Sequence, residues 1–238
     1  MDAPMAASGT KLVLLPGIYG TRELFADFAE ALPSAFAAQA IGYPNDVSLS
    51  YAELLGLVPS WVPASDPYVI VAESFSTPLA IQFAATNPAN LKGLVLSAGF
   101  ATSPVRGLLR FLGRYLAPHL SDLPVNEIGG RLMLLRSTAP QLLRTRLRAA
   151  ITSVKPGVLM DRVQAVVACN ALKELREVKV PILYLQAHGD RLVNAICLEE
   201  IRRVKPEIEV VVLDATHMLL QQMPRETAVI VAGFVRRL

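Results

Sequence analysis

The sequence predicts an α/β fold, a mainly parallel, doubly wound sheet of about six strands interrupted by an all-helical insertion. Short apolar, β-branched runs alternate with helical patterns over the first hundred residues. The alternation stops over about residues 101–175, where only helical spacing is found, and it resumes at Pro181. The division that follows is a core of residues 1–100 and 176–238, with a helical cap of residues 101–175 inserted in it.

Each element has its own signal. Lys11 to Leu15 is a short apolar strand that ends in the breaker-rich turn Pro16-Gly17-Ile18-Tyr19-Gly20. Thr21 reads as an N-cap, and Leu24, Phe25, Phe28, Ala29 and Leu32 mark an amphipathic helix stopped by Pro33. Ala37 to Tyr43 reads as a second strand and Ser50 to Val58 as a helix, with Pro59, Pro63 and Pro67 breaking the chain. Tyr68 to Val71 is a run buried on both faces. It turns through Ala72-Glu73-Ser74-Phe75-Ser76 into a helix marked by Leu79, Ala80, Ile81, Phe83 and Ala84. Leu91 to Ser97 is another buried strand.

In the insertion, helical patterns run around Val105–Leu116, Ile128–Leu135, Ala139–Ile151 and Val158–Leu172. Then Ile182 to Gln186 is a strand, Leu192 to Val204 a helix and Glu209 to Leu213 a strand. A last helix opens at Pro224 and closes on Arg236 and Arg237.

Composition narrows the class. The chain of 238 residues is 53% hydrophobic and 18% charged, which calls for a large buried core. No apolar run approaches the roughly 18 residues of a membrane span. Met1 to Thr10 has neither a basic patch nor an apolar stretch, so no secretory leader is expected. Cys169 and Cys197 form no disulfide framework, which makes a reducing, cytoplasmic setting the default. With three His and two Cys, no metal site is expected. The net charge of +3 is uneven: residues 101–170 hold ten Lys and Arg against three Asp and Glu.

Strand, tight turn and helix with a serine at the apex is the architecture of a nucleophile elbow. The usual pattern is G-x-S-x-G; here Ala72 and Ser76 stand at the glycine positions, both small. Alone this is a weak signal, since a serine after a strand is more often a helix N-cap. Two further motifs change the weighing. Ala187-His188-Gly189-Asp190 follows one strand, and Ala215-Thr216-His217-Met218 follows another. Ser74, Asp190 and His217 therefore occur in the order Ser, acid, His, each after a strand of one parallel sheet, so they can converge at one edge. A serine hydroxyl needs a base, His217 can serve near neutral pH, and Asp190 would orient the imidazole. Asp214 is the rival acid; His188 and Glu73 are weighed as loop or turn residues, and His119 as a surface residue. An oxyanion hole needs two backbone N–H groups, here those of Ile18 and Phe75.

With Leu15-Pro16-Gly17, Glu73-Ser74-Phe75-Ser76, Asp190 and His217 in place, the chain resembles the α/β-hydrolase superfamily. It is similar to the short bacterial branch that includes the pimeloyl-carrier-protein methyl ester esterase, and the resemblance is weakest across 101–175. It implies a serine hydrolase of a carboxylic ester or thioester, acting through an acyl-enzyme on Ser74 without a cofactor. The alternatives are an acyltransferase using the same acyl-enzyme and a non-catalytic binding member of the fold.

The arginine-rich insertion has two readings: a solvated cap face, or a site for an anionic partner. Arg106, Arg110 and Arg114 are spaced for one helix face, and Arg136, Arg144, Arg146 and Arg148 follow. The resemblance makes an acyl carrier protein or coenzyme A a plausible partner there. Tyr19, Arg136, Arg144 and Arg148 are the candidate substrate or partner contacts. Nucleic acid fits poorly, because no aromatic residues interleave with the arginines. The cap's apolar residues (Leu108, Leu109, Phe111, Leu112, Leu132, Met133, Leu134, Leu135) suggest an apolar acyl pocket.

Overall fold

A sequence whose central strands are near-continuous apolar runs needs cover on both faces of its sheet, and the fold provides it. The computed structural model describes residues 9–105, 134–135 and 138–238. Six strands form one all-parallel sheet: β1 (Lys11–Leu15), β2 (Ala37–Ala40), β3 (Tyr68–Glu73), β4 (Leu91–Ser97), β5 (Ile182–Ala187) and β6 (Glu209–Leu213). Their order is β2-β1-β3-β4-β5-β6.

Alternation sorts the core into two layers. Val13, Leu15, Ile70, Ala72, Leu94 and Leu96 face one layer, covered by α2 (Tyr51–Trp61), α3 (Ser76–Ala85) and Ile201 of α7 (Ala195–Val204). Leu12, Leu14, Val69, Val71, Val95, Leu183 and Leu185 face the other, covered by Phe28 of α1 (Ala26–Ala31), Leu219 of α8 (Leu219–Gln222) and Val231 of α9 (Pro224–Val235). After β1 the chain first moves outward to β2 and then crosses back to β3. The reversal leaves a crevice beyond the carboxyl ends of β1 and β3, where open α/β sheets bind ligands.

Between β4 and β5 the described residues form α4 (Gln141–Ser153), α5 (Pro156–Ala168) and α6 (Leu172–Glu177). The two ends of this insertion are tied together: Ala171 N–H donates to Ala101 O at 2.7 Å, and Ser103 N–H to Cys169 O at 3.3 Å. The expected helix over Val158–Leu172 is thus broken at Cys169–Ala171, where the chain pairs with the outgoing strand end. The helix expected around Val105–Leu116 and most of that around Ile128–Leu135 lie outside the described residues, as does His119. No helix among the described residues is long and apolar enough to cross a membrane.

Several boundaries differ from expectation for physical reasons. Pro59 does not stop α2, which runs to Trp61; a proline so near the helix end forfeits few hydrogen bonds. Ser50 caps that helix with Glu53 in a reciprocal capping box. Thr21 is not a cap: its hydroxyl is buried without a partner among the described residues, and a 3-10 turn, Glu23–Phe25, leads into α1. β2 ends at Ala40, three residues short of the expected end, because it is an exposed edge strand. The helix expected from Leu192 starts at Ala195 under an Asn194 cap, since the N–H groups of Leu192 and Val193 bind Asp190 instead.

Candidate active site

Four strand ends of the sheet supply the site. β3 delivers Ser74 at φ 47°, a left-handed backbone that a serine adopts only when its surroundings impose it. Two bonds impose it here: Ser74 N–H donates to Ser97 O at 2.9 Å, and Thr77 N–H returns to Ser74 O at 2.9 Å. Ala72 and Ser76 are fully buried, so the small residues of the elbow do meet the close approach of strand and helix.

The acid and the base arrive from β5 and β6, whose loops are laced together. His188 N–H donates to Leu213 O at 2.8 Å and Gly189 N–H to Ala215 O at 2.9 Å. A Cβ at Gly189 would sit 3.0 Å from Ala215 O, so any side chain there would press on that carbonyl. His217 Nε2 lies 2.8 Å from Ser74 Oγ, and His217 Nδ1 lies 2.8 Å from Asp190 Oδ2. The other oxygen of Asp190 accepts from the N–H groups of Leu192 at 2.8 Å and Val193 at 2.9 Å. The carboxylate is fully enclosed and bonded at both oxygens, which fixes its orientation toward the imidazole. Asp214, the rival acid, is exposed, and His188 is exposed as well.

A cavity of about 460 Å³ opens on Ser74 and His217. Leu24, Phe100, Leu159, Val163, Val166, Val193 and Met218 give it apolar walls. Tyr19 lines it, with burial pushing its hydroxyl up to about 12. Ile18 and Phe75 line it too, and among the described residues neither of their N–H groups has an acceptor. The Gly17 carbonyl accepts from Gly20 N–H at 2.9 Å, and no peptide bond among the described residues is cis, so the Ile18 N–H points the opposite way.

Glu73 is buried beside the nucleophile. Gln221 Nε2 donates to it at 3.2 Å, and the Gly17 N–H also bonds to its carboxyl. Burial pushes its pKa above the ordinary carboxylate range, opposed by the charge of His217 and by those two hydrogen bonds.

Arg144 and Arg148 are on α4 and do not line the cavity; Arg148 is exposed, and Arg144 donates from Nε to Ala139 O at 3.0 Å. Arg146 pairs with Asp27 at 2.6 Å. Arg106, Arg110, Arg114 and Arg136 lie outside the described residues.

Sequence reasoning missed three residues that hold the turn after β1. Ser76 donates to Pro16 O and lies 2.6 Å from the Tyr43 hydroxyl. Arg162, 4% exposed on α5, donates to Ile18 O at 2.8 Å and Pro44 O at 2.7 Å and stands over the Tyr43 ring. Burial lowers the pKa of this guanidinium, and Tyr43 partly opposes the shift. Its signal was positional: an arginine one helical turn from Val158 and from Val166 falls on the apolar stripe of α5, where a charge needs partners.

No curated protein sequence matches the chain. Among solved structures, MenH from S. aureus superposes with a TM-score of 0.78 at 15% identity, over 97% of this chain and 94% of that one. A thermophilic esterase from Thermogutta terrifontis gives 0.74 at 19% identity, over 97% and 90%. The esterase EaEST from Exiguobacterium antarcticum gives 0.80 at 12% identity, over 96% and 92%. At these identities the likeness is one of fold. The sequence itself is matched over residues 12–230 by the model of the alpha/beta hydrolase family, and the chain belongs to that family.

Proposed function

We propose that the protein is a serine hydrolase that cleaves a carboxylic ester or thioester with an apolar acyl group. The observation that carries this reading is the unbroken hydrogen-bonded chain from Asp190 through His217 to Ser74, ending in an apolar cavity. In this reading the Ser74 oxygen attacks the substrate carbonyl carbon while His217 Nε2 takes the hydroxyl proton. The carbonyl oxygen becomes an oxyanion between the N–H groups of Ile18 and Phe75. His217 then passes the proton to the leaving oxygen or sulfur, and the acyl–Ser74 ester forms as that bond breaks. Water, deprotonated by His217, attacks the acyl carbon, releases the carboxylic acid and restores the serine. Residues 101–175 are proposed as the cap, since their two ends are tied at one point and α5 supplies cavity wall.

The test is intact mass after treatment with a fluorophosphonate, with p-nitrophenyl ester turnover alongside. One adduct on the wild type, none on Ser74→Ala, and loss of turnover in that variant are the expected results. Turnover retained by a folded Ser74→Ala protein overturns the mechanism. A product assay with added alcohols or thiols reports whether water is the acceptor.

A further inference from the structure

We propose that Arg162, from the α5 helix that lines the acyl cavity, is a positioning residue for the oxyanion hole. The inference rests on the serine-hydrolase reading and deepens it.

The peptide unit between Gly17 and Ile18 carries the N–H aimed at the oxyanion. The preceding unit is held at both of its polar atoms: Ser76 binds the Pro16 carbonyl, and the Glu73 carboxyl binds the Gly17 N–H. The following unit contains the Ile18 carbonyl, which Arg162 Nη1 holds at 2.8 Å. The unit between them is held only by its carbonyl, through Gly20 N–H. A donor in the middle of a turn keeps its direction when the dihedrals on either side of it are fixed. Without Arg162 the Ile18 carbonyl loses its hold, and the downstream side of the turn is tied only at Gly20, whose N–H meets Gly17 O and whose carbonyl accepts from Tyr43 N–H at 2.8 Å.

Two features show that the guanidinium is not an incidental strut. No carboxylate pairs with it among the described residues, although it is almost fully buried. An unpaired buried cation is costly, and an apolar residue would fill the same place on the α5 stripe more cheaply. Its fork also reaches two separate segments at once, Ile18 O and Pro44 O, with Tyr43 under its face. A lysine can supply the charge but not that two-point grip. Gly20 fits the same arrangement: at φ 68°, a Cβ there would sit 2.8 Å from Arg162 Nη1. The turn is therefore shaped around the guanidinium. Leu159, Val163 and Val166 of the same helix line the cavity, so the wall that meets the acyl group and the clamp on the hole are one rigid element.

The test compares wild type, Arg162→Gln and Arg162→Lys, with thermal unfolding establishing that each variant is folded. Turnover is read with p-nitrophenyl butyrate, and hemiketal formation with an alkyl trifluoromethyl ketone, whose adduct places its oxyanion in the hole. Arg162→Gln is expected to lower kcat about 10- to 100-fold with KM within about twofold, the scale of a misplaced catalytic group. Its affinity for the ketone should fall by the same factor as kcat/KM, and Arg162→Lys should lie between it and the wild type. A purely structural residue would not link turnover to ketone affinity in this way. Either variant, folded and matching the wild type in kcat and ketone affinity, overturns the proposal. Should Arg162→Gln not fold, Arg162→Lys alone decides. A wild type that forms no fluorophosphonate adduct at Ser74 overturns the hydrolase reading as well, whereas a reactive wild type with unimpaired variants overturns only the role of Arg162.

Discussion

The Tyr43 hydroxyl lies 2.6 Å from the Ser76 hydroxyl, inside the core, and Ser76 spends its own hydrogen on the Pro16 carbonyl. Each hydroxyl has one hydrogen, so Tyr43 must be the donor to Ser76. The serine where the elbow pattern usually has glycine is thus a tie between the nucleophile turn and the turn after β1. Ser76→Ala should lower stability by about 1–3 kcal/mol, because the Tyr43 hydroxyl and the Pro16 carbonyl both lose a buried partner. For a chain of this size that is a fall of roughly 2–10 °C in Tm. Ser76→Gly, although it restores the usual pattern, should fare no better. Tyr43→Phe combined with Ser76→Ala should cost less than the sum of the two single changes. Thermal unfolding of the four proteins checks this, and strict additivity would sink the tie.

Asp190 gives a sharper expectation, because its two oxygens have different duties. Oδ1 accepts from two backbone N–H groups, and Oδ2 faces His217 Nδ1. An asparagine must keep its oxygen on the N–H pair and so turns its NH2 toward Nδ1. That group donates, which leaves the proton on Nε2, the nitrogen that should accept from Ser74. Asp190→Asn should therefore fold normally while kcat falls on the order of 10⁴-fold, the scale of a wrong tautomer in such a triad. Steady-state kinetics beside a Tm measurement checks it; a loss under tenfold would mean that Asp190 does not set the tautomer.

Glu73 makes stability depend on pH. Burial raises its folded pKa above the ordinary 4.5, and the titratable group that opposes the shift is His217. A carboxyl with a raised folded pKa binds its proton more tightly when folded. Its favourable contribution is present in full below about 4.5 and is lost as the pH climbs through the raised value. Glu73→Gln removes that loss and keeps an oxygen to accept from Gln221 and Gly17. The variant should match or trail the wild type near pH 4.5 and exceed it in Tm by a few degrees at roughly pH 8. Parallel Tm curves across this range would show that Glu73 does not change its protonation on folding.

The buried strands and the order Ser74, Asp190, His217 were legible in the sequence because each has a local mark. A β-branched run needs no partner to be recognised, and a triad order survives without coordinates. What could not be read were contacts between distant segments. Nothing near Tyr43 announces Ser76, 33 residues away, and Arg162 looks like one more arginine of a basic insertion until its place on the apolar stripe of α5 is counted. Pro59 misled for the opposite reason. Proline reads as a breaker by its type, but only two residues of α2 follow Pro59, so little helix remains for it to disrupt.

The cavity makes a prediction about chain length. Its walls near Ser74 are apolar, and each methylene buried there is worth about 0.8 kcal/mol, roughly a fourfold gain in kcat/KM. Across p-nitrophenyl esters of increasing acyl length, kcat/KM should climb on about that slope and then level off once the cavity is full. Val163 lines the cavity and belongs to none of the packed core layers, so its side chain faces the space an acyl chain would fill. Val163→Phe should move the plateau to shorter chains, with the acetate ester losing least and the longest esters most. The slope before the plateau should stay the same, because the remaining wall is still apolar. An unchanged length profile in a folded Val163→Phe protein would mean that the acyl group does not lie along α5.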